Sequence, residues 1–224
     1  MTKIFISTTT FGLSDKGPLN NLNQSGLTYL LNPNKRKLLP EETALMAKDS
    51  TAVIAGIEDL EPLVRLSDKL KIICRLGVGL ENVPLDLCRE KGIKVSFTPE
   101  AVTPAISELT IALMLSTSRK ICESDKNIRL GRWQRKMGLR IGGSTIGLIG
   151  FGRVGQMVAE LLISFKPRSV LVYDAYLNKD KVFKMKQKGL NIKSVSLDEI
   201  LKTADVVSLH VGLNESTRNM ISSY

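Results

Sequence analysis

The sequence predicts an α/β fold of two parallel-sheet domains, Rossmann-like and flavodoxin-like, the second of them incomplete. Three observations carry that expectation. Strand-length apolar runs alternate with helical patterns from end to end, as in sheets joined by helical crossovers. Five such runs are complete within residues 1–100. A glycine-marked strand and turn at Ser144–Gly155 then open a second series, which reaches only four strands before the sequence ends.

The elements follow in order. Strands are expected at Lys3–Ser7, Leu27–Leu31, Ala52–Ala55, Lys71–Arg75 and Ile93–Phe97, and helices at Leu19–Gln24, Glu41–Lys48, Leu60–Ser67 and Leu85–Lys91. Pro84 is placed at the first position of its helix, where a missing N–H loses no bond. These make the first domain, residues 1–100. Residues 104–120 are too apolar for a surface helix and too short to span a bilayer, so an interdomain helix buried between two lobes is expected. Lys126–Gly143, with the sole tryptophan Trp133, reads as a connector. The second domain, residues 101–224, continues with strands Thr145–Ile149, Ser169–Tyr173, a weak Asn191–Val195 and Asp205–His210. Its helices are Arg153–Phe165, Leu177–Lys188 and Leu197–Lys202. A doubly wound dinucleotide fold has about six strands. Four imply a fragment, or a partner that supplies the rest.

Composition narrows the class. Apolar residues make 43% and charged residues 24% of the 224, ordinary for a globular protein. No run approaches the ~20 apolar residues of a membrane span, and the first residues open a strand rather than a signal peptide. Cys74, Cys88 and Cys122 are odd in number and widely spaced, which reads as buried reduced thiols in a cytoplasmic protein, not a metal set. The net charge of +10 invites a nucleic-acid reading. Yet the dense basic stretch Lys179–Lys188 spreads around a helix without interleaved aromatics, as a solvated face does. Neither nucleic acid nor membrane is expected as a partner. Positive charge still steers anionic substrates and cofactors inward.

The chemistry concentrates in Gly150, Gly152 and Gly155, which have the G-x-G-x-x-G spacing between a strand and a helix. The first permits a tight turn, the second lets backbone approach a pyrophosphate, and the third lets helix lie close on strand. The amino end of the helix then faces the phosphates. Asp174 ends the next strand 19 residues beyond Gly155, where a carboxylate accepts from both ribose hydroxyls. Facing the 2′ position, it repels a 2′-phosphate, so NAD is expected over NADP.

Four segments in order carry a family resemblance: Arg75–Val83, Ser107–Leu113, Gly131–Trp133 leading into the glycine fingerprint, and Ala204–His210 followed by Thr217-Arg218. With them the chain, from about Lys3 to Tyr224, resembles the D-isomer-specific 2-hydroxyacid dehydrogenases, particularly the phosphoglycerate dehydrogenase branch. The resemblance implies a substrate domain followed by an NAD domain, and a homodimer formed through the latter. It implies hydride transfer between NAD and a small 2-hydroxy or 2-keto acid, 3-phosphoglycerate being one candidate. In that reading Val78 and Gly79, in the loop Gly77-Val78-Gly79, meet the substrate carboxylate, and Val78 also touches the nicotinamide end. Arg153 and Val154 contact the pyrophosphate, and Val211 lines the cofactor.

Three departures stand out: Glu81-Asn82 for the usual Asp-Asn, Val211-Gly212 after His210 where the family has x-Pro, and Pro84 where aspartate is common. The family's catalytic arginine, glutamate and histidine fall beyond Tyr224, so no catalytic residue is assigned, and no metal. His210 matches the histidine of the fourth strand rather than the catalytic one; a structural or cofactor-lining role is expected. Arg75 is expected to brace the glycine loop. The alternative is a non-catalytic NAD-binding interaction protein resembling the corepressor branch of the family.

Overall fold

A computed structural model describes residues 3–222, and its contacts divide the chain into two compact units, residues 1–101 and 102–224. The end of the expected resemblance, at Tyr224, lies outside the described residues.

The first unit alternates strands β1 (Lys3–Ile6), β2 (Thr28–Leu31), β3 (Ala52–Ala55), β4 (Ile72–Arg75) and β5 (Lys94–Phe97) with helices α1 (Gly17–Gln24), α2 (Pro40–Ala47), α3 (Glu61–Leu66) and α4 (Leu85–Glu90). All strand pairs are parallel, in the order β2-β1-β3-β4-β5. This is the flavodoxin-like order, with its topological switch between β1 and β3. Phe5, Val53 and Ile73 are adjacent in register across the central strands and fully buried, as a sheet covered on both faces requires. Pro84 stands one residue earlier than expected, at the N-cap of α4.

The second unit opens with α5 (Thr103–Ser118) and α6 (Ile121–Arg129). The apolar helix is present, but it is not enclosed. Met114 packs into the unit's core beside Ile111 and Leu115, whereas Leu109 is 58% exposed and Leu113 and Ile106 are also exposed. Its apolar residues run all round, more than one buried face can take. The expected connector is partly helical, because α6 reaches into it. Beyond α6 the chain lies over the end of α5, with Leu139 N–H donating to Ser118 O at 2.7 Å.

Strands β6 (Thr145–Ile149), β7 (Ser169–Tyr173), β8 (Ile192–Ser194) and β9 (Val206–Leu209) then form a parallel sheet ordered β8-β7-β6-β9. Helices α7 (Arg153–Leu162), α8 (Lys179–Gln187) and α9 (Leu197–Thr203) connect them, and a short 3-10 turn, Ile163–Phe165, finishes α7. Caps set two of the starts. Asn178 Oδ1 accepts from Asp180 N–H at 2.9 Å, and Ser196 Oγ accepts from Glu199 N–H at 3.2 Å. Ile146, Leu148, Val170 and Val172 form the core with Val158, Ala159 and Leu162 of α7.

The cysteines correct one expectation. Cys88 is buried and Cys74 half-buried, but Cys122 is exposed on α6, with its Sγ 3.4 Å from Ser116 Oγ. Among the described residues, no helix is long and apolar enough to cross a membrane, and no three His, Cys, Asp or Glu side chains form a group fit for a metal.

Candidate functional site

The glycine turn between β6 and α7 is built from two steric demands and one open position. Gly150 has φ +97°, and a Cβ there would stand 2.6 Å from the backbone of His210 and 3.0 Å from Val211 Cγ1. Gly155 lies so close under the turn that a Cβ would run into Gly150 O. Both must be glycine for the fold itself. Gly152 is different. It begins α7 with φ −72°, and a Cβ there would meet no protein atom within 4 Å. The protein's own packing sets no requirement for glycine at that place and leaves its backbone open to the approach of an outside group. Gly152 supplies no capping side chain, and no acidic residue stands in the first turn of α7. The positive end of the helix is therefore directed at the open side. These residues fit a diphosphate.

Asp174 closes the other side. Its Oδ2 accepts from Phe151 N–H at 2.6 Å and its Oδ1 from Tyr176 N–H at 2.8 Å. The carboxylate at the end of β7 is thus pinned to the glycine turn. Each oxygen retains a second lone pair for a sugar hydroxyl. Gln156, which sequence reasoning passed over, donates through Nε2 to Phe151 O at 2.9 Å and Gly152 O at 2.8 Å. It locks the turn from below. An amide one position after the last glycine was the only signal for it.

Val211 follows β9, half-exposed, with its side chain against Gly150. Arg153 and Val154 open α7. Gly150, Gly152, Arg153, Val154, Gly155, Asp174 and Val211 therefore gather at one carboxyl edge, where the chain passes from β6 to flanking strands on either side. His210 stands beside them. Its N–H donates to Ile149 O at 2.7 Å, while its Nε2 is buried without a partner. Burial holds its pKa below the usual 6.5, favouring the neutral ring.

Val78 and Gly79 lie at the carboxyl edge of the first unit's sheet, in the loop after β4. Gly77 there has φ +147°, and its N–H donates to Thr98 Oγ1 at 3.0 Å. The buried Arg75 folds its guanidinium over Gly77, donating to Leu76 O and, at 3.3 Å, to Asn82 Oδ1. Asn82 in turn donates to Gly56 O at 3.1 Å and Glu58 O at 2.7 Å. The Glu58 carboxylate is buried, held by the Ser7 hydroxyl and by Gly56 N–H at 3.0 Å. Arg75 thus braces the loop, and Asn82 ties it to the end of β3. Val78 is exposed; Gly79 is crowded only by the flexible Glu81 side chain.

Known proteins resemble this chain over most of its length. The sequence profile of the D-isomer specific 2-hydroxyacid dehydrogenase NAD binding domain matches residues 111–224. Hydroxypyruvate reductase of Thermotoga maritima is 37% identical over 188 residues, covering 83% of this chain and 56% of the relative. D-3-phosphoglycerate dehydrogenase of Methanocaldococcus jannaschii is 34% identical, covering 82% of this chain and 35% of the relative. The chain thus spans between about a third and just over half the length of these relatives. A crystal structure of D-lactate dehydrogenase from Aquifex aeolicus, complexed with NAD and lactic acid, superposes with a TM-score of 0.79 at 25% identity, covering 96% of this chain and 62% of that one. NAD is the cofactor of the matched domain. The chain belongs to the D-isomer-specific 2-hydroxyacid dehydrogenase family, and its second unit carries that family's NAD-binding domain.

Proposed function

We propose that this chain provides the cofactor site and the glycine loop of an NAD-dependent oxidoreductase acting on a small 2-hydroxy or 2-keto acid. In this reading residues 1–100 are the substrate domain and residues 101–224 the NAD domain, and the protein is cytoplasmic. The observation that carries it is the glycine turn: an open Gly152 at an uncapped helix end, with Asp174 pinned alongside. Bound NAD supplies the hydride acceptor. The chain's own residues hold and orient it. The amides opening α7, including those of Arg153 and Val154, face the diphosphate. Asp174 accepts from the ribose hydroxyls, and Val211 lines the crevice. At the first unit's edge, the backbone of Val78 and Gly79 receives the substrate carboxylate, with Val78 also reaching the nicotinamide end. The arginine, glutamate and histidine that polarise the carbonyl and move its proton are assigned to sequence beyond Tyr224. Hydroxypyruvate and 3-phosphoglycerate are the substrates to try first, because related chains bear those names. A second copy of the chain is the proposed partner, docking on the exposed apolar residues of α5 and α6 together with Trp133 and Met137.

The cofactor assignment is tested by titrating NAD and NADP into the wild type and Asp174→Ala. The wild type is expected to prefer NAD. Loss of the charge-assisted bonds at Asp174 is expected to narrow the NAD–NADP gap by about 1–2 kcal/mol. An unchanged gap overturns the role. Dehydrogenase turnover by residues 1–224 alone would contradict the placement of the catalytic groups beyond Tyr224.

A further inference from the structure

A cavity of about 520 Å³ opens in the first unit, lined by the segment that follows β1 and by the end of β2. It stands apart from the loop proposed for the substrate carboxylate. The order β2-β1-β3-β4-β5 puts β4, with Val78 and Gly79 after it, two strand spacings from β1, about 10 Å, and on the side away from β2. A volume of this size is typical of small-molecule sites. Parallel sheets take ligands at the carboxyl ends of their strands, beside the strand where the order reverses, which here is β1.

Its walls are of two kinds. Phe11 and Leu19 pack against the core of Ile4 and Ile6 and also line the cavity, joined by Leu31, the last residue of β2. The turn that carries Phe11 is fixed. The Thr8 and Thr10 hydroxyls are 3.0 Å apart, Leu13 N–H donates to Thr10 O at 3.2 Å, and Gly12 takes φ +68° where a Cβ would run into Leu19. Facing these apolar groups are two cations, Lys16 and Lys35, neither of which forms an ion pair. Asp15, next to Lys16, is engaged elsewhere, its Oδ1 accepting from Gly17 N–H at 2.8 Å. Among the described residues, none that lines the cavity is acidic, and the Thr9 hydroxyl at its wall has no protein partner. The neighbouring cavity of the same unit, about 630 Å³, has the opposite character, with Asp59, Glu61 and Glu81 beside one lysine, Lys37.

We propose that this cavity binds a small phosphate monoester with an apolar, ring-sized body. Lys16 and Lys35 supply two point charges for a dianion, and the Thr9 hydroxyl supplies a donor. Phe11, Leu19 and Leu31 receive the body, whose apolar surface leaves water there. The first unit thereby has a ligand of its own, separate from NAD and from the 2-hydroxy acid. The inference does not depend on the dehydrogenase reading, and its failure leaves that reading untouched.

The test is a titration of the ¹⁵N-labelled chain with phenyl phosphate at constant ionic strength, followed by amide NMR shifts. Inorganic phosphate, benzyl alcohol and benzoate are the controls. Phenyl phosphate is expected to saturate, shifting the amides of Thr9, Phe11, Gly12 and Asn32, and to bind about tenfold more tightly than any control. Phosphate lacks the body, the alcohol lacks the charge, and benzoate carries only one. Lys16→Ala and Lys35→Gly are each expected to weaken phenyl phosphate about tenfold, the scale of one charge-assisted hydrogen bond. Both lysines are exposed, and Lys35 has φ +51°, which glycine adopts without strain, so melting temperatures are expected to stay at the wild-type value. Wild-type affinity in both lysine variants overturns the site, and so does a control that binds as tightly as phenyl phosphate. Shifts confined to residues 150–155 would move the phosphate to the glycine turn and overturn it equally, as would a wild type that does not saturate.

Discussion

Gly150, Gly152 and Gly155 look alike in sequence, yet the structure gives them different work. Gly150 and Gly155 are demanded by their neighbours: the first by its positive φ and the His210 backbone, the second by contact with Gly150 O. Gly152 is demanded by nothing within the chain. Substitution separates the two kinds. Gly150→Ala and Gly155→Ala are each expected to destabilise the second unit by about 3 kcal/mol, the scale of a strained φ or of an overpacked core site. Gly152→Ala is expected to melt within about 1 °C of the wild type, having neither mechanism to act through. Thermal unfolding followed by circular dichroism checks the set; a large loss in Gly152→Ala would show that its openness is misjudged. Asp174 orders the turn through its carboxylate, beside the ribose role proposed for it. The proposed role comes from its spacing after Gly155. The ordering of the turn was not legible there, because the bond to Phe151 N–H depends on how β6 and β7 align.

At the scale of elements, the β6–β9 junction places a titratable ring beside the glycine turn. His210 has a lowered pKa because its ring is buried, with Nε2 unpartnered. As pH falls, the unfolded chain takes up this proton before the folded one. The stability that depends on the neutral ring is therefore whole above about pH 6.5 and is lost as pH drops below it. The exposed Arg36–Glu42 pair works in a separate window. Arg36 hydrogen bonds hold the Glu42 carboxyl down at about 2 from 4.5, so its contribution is present above 4.5 and lost toward 2. The wild type is expected to lose melting temperature as pH falls below about 6.5, and His210→Leu to lose less of it. Identical slopes in the two chains would contradict the assignment.

The same scale shows what the sequence made readable. The strands Thr145–Ile149, Ser169–Tyr173 and Ala52–Ala55 fall where expected, because fully covered parallel strands are short unbroken apolar runs. Helix α6 escaped because none of its residues is buried. With no inward stripe to reveal it, it is supported by local pairing such as Arg129–Asp125, four residues apart. Helix α5 misled in the opposite direction. Its apolar composition suggests enclosure, but composition cannot say which faces a fold covers, and Leu109 and Leu113 face outward.

Over the whole molecule, charge follows the proposed division of labour. Residues 102–224 hold 19 basic and 10 acidic side chains, a net +9, whereas residues 1–101 hold 13 and 12, a net +1. The unit assigned to the diphosphate thus carries nearly all the positive field, which raises the encounter rate with an anionic cofactor. The positions of the first unit's strands and the glycine turn of the second both follow from local patterns. The tie through Asn82, which joins Arg75 to the end of β3, needed three dimensions to be seen. The claim on which the rest depends is that the open amide end of α7 at Gly152 receives the NAD diphosphate. Calorimetric titration of NAD into the wild type and Gly152→Ala tests it most directly. One NAD per chain in the wild type, weakened about tenfold in Gly152→Ala (~1.4 kcal/mol) at an unchanged melting temperature, is the predicted result. A wild type that binds no NAD, or a Gly152→Ala chain that binds it as tightly, would contradict the account.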